Sequence, residues 1–201
     1  MQKEISNFGD RAEVTMQSNV AGSETVGIEG YYHVECRDAD GNLKWAEEFP
    51  NLVNAIGKEL MLDTLLSGSS YTTVGPYLGL ISGASPTFSA SDTMASHGGW
   101  TEFTNYTVGG SAVRGTASFS AATSTGTTPT NVTTKTASAI TYTITGAGGT
   151  VGGCFLVTGS GASSTQGNTS GTLYSAGAFS TAKVTTAGDT VSVTYSTTAT
   201  S

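Results

Sequence analysis

The chain has 201 residues with eight Lys or Arg against fifteen Asp or Glu, a formal net charge of −7. Twelve of the acids and five of the bases fall within residues 1–66, so that part carries the whole imbalance and residues 67–201, with three of each sign, are neutral. Eight scattered bases cannot supply the clustered phosphate contacts of a nucleic-acid binder, and no run approaches the roughly 20 apolar residues of a membrane-spanning helix, so nucleic acid and membrane are both set aside as partners.

At this length a single domain buries roughly 70% of its unfolded surface, and no metal or disulfide is required to hold it. Cys36 and Cys154 are too few for a disulfide framework and read as two buried small apolar residues, with a bridge between them as the minor alternative. Residues 1–19 are polar and mixed in charge, so no signal peptide is expected, and the sequons at Asn105, Asn131 and Asn168 read as products of a Thr-rich composition.

In chain order, residues 1–24 show no periodicity and read as an extended N-terminal arm, with residues 25–201 as one β-sandwich domain. The first strand spans 26–37, where Ile28, Gly30, Tyr32, Val34 and Cys36 alternate with Glu29, Tyr31, His33, Glu35 and Arg37. Asp40-Gly41 supplies a two-residue hairpin turn, which pairs Cys36 with Trp45, Val34 with Glu47 and Tyr32 with Phe49. Pro50 ends the second strand, and Asn51 is positioned as N-cap of one helix over 52–66. Its apolar residues cover more than half the circumference, so it is expected to be buried, plugging one end or face of the sheets.

Beyond it, short β-branched and apolar runs between Gly, Ser, Pro and Asn clusters predict strands at 77–81, 101–108, 112–121, 139–145, 151–158, 172–178, 182–185 and 190–197. Asp92 is placed as cap of one helical turn over 92–97. The Thr-rich stretch 123–136 and the Ser/Gly/Asn stretch 159–171 read as exposed loops. The whole is mainly β, an antiparallel sandwich or jelly roll with one buried helix.

Catalytic chemistry finds few carriers. His33 and His97 are the only imidazoles, no Gly-x-Ser-x-Gly elbow occurs, and Glu102 has no evident partner for glycoside hydrolysis, so no catalytic residue is assigned and the chain reads as a non-enzyme. His33 and Cys36 give two zinc ligands at most. Asp38, Asp40 and Asn42 alternate as in a calcium loop, but Leu43 stands at the glycine position and Phe49 at the closing Glu, so a hairpin turn explains them better. Gly146 to Gly153 lacks the Lys-Ser/Thr of a phosphate loop. No metal or cofactor is expected.

Three stretches carry a resemblance. Asn51-Leu52-Val53-Asn54 leading into Leu60-Met61-Leu62, then Tyr77-Leu78-Gly79-Leu80-Ile81-Ser82-Gly83, then residues 92–103 with His97-Gly98-Gly99-Trp100, are similar to small virion proteins of tailed bacteriophages; residues 149–157 and 171–179 fit the same group. The resemblance is to jelly-roll capsid cement or decoration proteins. It implies a dimer or trimer on the outer surface of the head, made in the host cytoplasm and bound to the major capsid protein. A tail or fibre component that binds a host-surface glycan, through Ser/Thr/Asn loops and aromatics such as Tyr71, Tyr106 or Tyr174, is the alternative. Subunit contacts are assigned to Phe8 and Val14 of the arm and to Tyr31, His33, Lys44 and Glu48 on the polar face of the first hairpin.

Overall fold

The computed structural model describes residues 27–66, 74–125 and 132–200; the expected arm at 1–24, with Phe8 and Val14, and Tyr71 lie outside them. In chain order the elements are β1 (Gly27–Arg37), β2 (Leu43–Pro50), β3 (Leu52–Val53), α1 (Ala55–Leu66), β4 (Tyr77–Ser82), β5 (Thr101–Phe103), β6 (Tyr106–Thr107), β7 (Gly115–Thr116), β8 (Thr123–Thr125), β9 (Val132–Thr136), β10 (Ile140–Ile144), β11 (Gly149–Thr158), β12 (Thr172–Thr185) and β13 (Thr190–Thr200). They form two antiparallel sheets packed as a β-sandwich. The first runs β2-β1-β13-β10-β6, with β9 also on β13 and β8 on β9; the second runs β3-β12-β11-β4-β5, with β7 on β4. The first described strand therefore pairs with the last, Tyr32 opposite Tyr195 and Val34 opposite Val193.

Alternation dictates the core. Cys36, Val34 and Tyr32 of β1 and Val191, Val193 and Tyr195 of β13 point inward, where they meet Leu78, Leu80, Cys154 and Leu156 of the second sheet. Two tyrosines tie the layers together: Tyr142 Oη donates to the Leu78 carbonyl at 2.8 Å, and Tyr32 Oη shares a 2.9 Å hydrogen bond with Ser175 Oγ. The second sheet is covered on its other face as well. Ile81, Phe155, Val157 and Leu173 pack there against Met94 and Trp100, so β11 reads as a continuous buried run rather than an alternating one.

The hairpin register is as the sequence predicts: Cys36 faces Trp45, Val34 faces Glu47 and Tyr32 faces Phe49. Its turn is longer than two residues. The Asp38 carboxylate accepts the N–H groups of Asp40 and Asn42 at 3.0 and 2.8 Å, Gly41 sits at φ 85°, and the ladder slips by one after Cys36. That slip absorbs the extra residue, and the same bonds occupy the Asp38 oxygens that a calcium loop would have offered.

Other expectations need correction. Leu52 and Val53 are not helical, because their backbone pairs with Ala176 and Ser175 at the edge of the second sheet; α1 begins at Ala55 and Asn51 does not cap it, its Nδ2 donating instead to Tyr195 Oη at 3.1 Å. The Thr-rich stretch 123–136 contains strands, since β8 and β9 extend the first sheet along the far half of β13. Residues 172–185 are one long bulged strand, whereas 112–121 shrinks to two strand residues. Thr93 and Ser96 form an isolated β-bridge in place of a helical turn, and Asp92 Oδ2 accepts the Ser89 N–H at 3.0 Å.

Candidate interaction surface

The second half of α1 departs most from expectation. Among its described residues only Gly57 is buried, and Leu62, Leu65 and Leu66 are 58%, 75% and 79% exposed. The helix is therefore not a plug. Gly57, Met61 and Leu65, one turn apart each, form the stripe turned toward the sheets. Gly57 seats directly on β12, where a Cβ would lie 2.8 Å from the Tyr174 carbonyl, and Tyr174 Oη lies 3.4 Å from Met61 Sδ. Leu62 and Leu66 share an adjacent, mostly exposed stripe.

Beneath the stripe lies an apolar groove of about 340 Å³. One wall is Leu60, Met61 and Leu65; the other is Tyr174, Tyr195 and Phe119, and Lys135 is the only charged residue on the lining among the described residues. Along the inner face, the Tyr32–Tyr195 pair gives way to Gly30 opposite Thr197 and then to Ile28 opposite Ala199. Gly30 has no side-chain space at all, since a Cβ would stand 2.5 Å from Tyr195 Oη. Burial pushes the Tyr174 phenol above its ordinary value, and burial followed by the neighbouring Tyr174 carries Tyr195 up to about 12. Both are neutral hydrogen-bonding groups at physiological pH.

A second constellation is structural. Arg114, fully buried, makes a bidentate pair with Glu102 at 2.9 and 2.7 Å and donates to the carbonyls of Ser163 and Asn168 at 3.1 and 2.7 Å. Glu102 also accepts the Gly167 N–H at 2.7 Å. Together they clamp residues 159–171, with Val113 bridged to Thr165 and Ala162 buried, so this stretch is a loop with exposed residues, as expected, but one tied to the sheets. Glu102 thereby gains a partner, but one that occupies its oxygens.

The hairpin residues expected at contacts lie on the outer face of the first sheet, the opposite side from the groove. Tyr31 is exposed; His33 is half exposed and sits 3.6 Å from Glu35 and 3.9 Å from Glu48; Lys44 is committed to a 2.6 Å ion pair with the buried Asp189. Of the aromatics expected to meet a glycan, Tyr106 is buried and Tyr174 is a half-buried groove wall, so neither is presented as a free ring. His97 bonds locally, its Nδ1 3.0 Å from the Trp100 carbonyl with the rings stacked at 3.8 Å. Cys36 and Cys154 are buried, free thiols. Among the described residues no three His, Cys, Asp or Glu group as metal ligands, and no helix is long and apolar enough to cross a membrane. Comparison with protein-family models, curated proteins and solved structures finds no match.

Proposed function

We propose that the protein is a structural component of a tailed-bacteriophage virion, a cement protein that binds as a dimer or trimer at junctions between major capsid subunits on the outside of the head and stiffens the shell. The observation that carries this reading is the Leu62–Leu66 stripe on α1, more than half exposed and clustered on one helix. Burying one leucine side chain is worth about 1.5–3 kcal/mol, and a stripe of this kind marks a surface meant to be covered.

The sequence supports the same reading in two ways. Residues 67–201 are uncharged overall, so their Thr- and Ser-rich sheets offer little like-charge repulsion between copies and little desolvation penalty on docking. The resemblance of the segments around α1, β4 and Trp100 to phage virion proteins points to the partner. Symmetric repetition over a shell multiplies modest contacts by avidity.

Imaging of particles with and without the protein tests this. The protein is expected as density on the outer capsid surface at subunit junctions, and particles lacking it are expected to release DNA at a lower temperature. Density at the tail tip, or equal heat resistance of the two kinds of particle, counts against it.

A further inference from the structure

The groove under α1 has the size and the walls of a small-molecule site. Its volume of about 340 Å³ lies within the roughly 300–1,000 Å³ of clefts that take small ligands. One wall is aliphatic and the other aromatic, so the main gain it offers a ligand is removal of apolar surface from water. Hydrogen bonding is nearly closed off. Thr64 Oγ1 donates to the Leu60 carbonyl at 2.7 Å, Thr197 Oγ1 donates to the Glu29 carbonyl at 3.1 Å, and Tyr174 Oη lies against Met61 Sδ. A sugar seated there would leave hydroxyls unpaired, which is costly.

The exception is Lys135, placed directly opposite Thr197 in the β9–β13 ladder. Its Nζ donates to the Ser120 carbonyl at 2.9 Å, which uses one of the three ammonium protons, and it forms no ion pair among the described residues. The side chain is exposed, so a charge paired with it stays at the water's edge. One cation at the margin of an apolar cleft complements an anion joined to an apolar body.

We infer that the groove binds a medium-chain alkyl carboxylate, its chain lying between α1 and the wall of Tyr174, Tyr195 and Phe119, and its head group paired with Lys135. This goes beyond capsid binding, which uses Leu62 and Leu66 on the neighbouring stripe, and each can fail without the other.

The test is equilibrium dialysis of the purified full-length protein against labelled decanoate, with hexanoate, octanoate and decanol as competitors. One site per chain is expected. Affinity should rise about fourfold per methylene from hexanoate to decanoate, the equivalent of about 0.8 kcal/mol, and decanoate should bind about fivefold more tightly than decanol, as an exposed ion pair allows. Lys135→Met is expected to erase that preference and keep the binding of decanol. Leu65→Asp, which puts a like charge on the apolar wall, is expected to lower decanoate affinity at least tenfold, whereas Leu43→Asp, the same change in the β1–β2 hairpin, should leave it unaltered. All three positions are exposed, so the fold is not at stake. No saturable binding, several sites per chain, a preference for the acid that survives Lys135→Met, or equal effects of the two Asp variants overturns the inference.

Discussion

Arg114 and Glu102 hold the molecule's most consequential pair of charges. With the guanidinium fully buried and every oxygen and nitrogen of the pair bonded, the arrangement is costly to break from one side. Glu102→Gln is expected to destabilise the fold by about 3–5 kcal/mol, because it leaves Arg114 charged and unpaired in the interior. Chemical denaturation measures this, and limited proteolysis should show new cleavage within 159–171. Asp189 gives a pH dependence. Burial alone pushes its carboxyl up, but the Lys44 ammonium and the Thr186 N–H outweigh burial and hold it below the ordinary carboxylate value. A depressed native value means that the unfolded chain takes up the proton first, so the stabilisation is complete above about pH 4, the unfolded carboxylate value, and is lost as pH falls through the native one. Glu47, where burial is again outweighed, here by Lys183 and the Ser180 N–H, adds in the same direction. Melting temperature followed from pH 6 to pH 3 should fall, and fall less steeply in Asp189→Asn. Little of this was legible beforehand: a long-range pair such as Arg114 with Glu102, or Lys44 with Asp189 145 residues away, leaves no local spacing to read.

Individual elements were legible where one face meets water and one meets core. The β1–β2 register followed from strict alternation plus Asp40-Gly41, and it held even though Asp38 rebuilt the turn. Helix α1 was visible as a helix and misjudged as buried, because a broad apolar arc reads the same whether the rest of the domain or a neighbour covers it. The Thr-rich β8 and β9 were missed for the opposite reason: with no large apolar residues they lack a periodic signal, and β13 recruits them through backbone pairing. Two substitutions separate the two sides of α1. Gly57→Ala puts a methyl against the Tyr174 backbone and is expected to cost about 1–3 kcal/mol by overpacking, read as a lower midpoint in denaturant. Leu62→Lys with Leu66→Lys, at two mostly exposed positions, should change stability by no more than about 0.5 kcal/mol.

On the scale of the whole molecule, composition and fold point the same way. The acidic imbalance stays within residues 1–66, and the neutral remainder supplies most of both sheets, so those sheets themselves offer little like-charge repulsion to a docking partner. On the proposed capsid role, a variant can keep its stability and still lose assembly. The most direct measurement is co-sedimentation of the purified protein with capsid shells that lack it. Wild-type protein is expected to bind and saturate a fixed number of sites, and the Leu62→Lys, Leu66→Lys variant, equally folded, to lose most of that binding. Equal binding by the two proteins, or none by the wild type, would contradict the account.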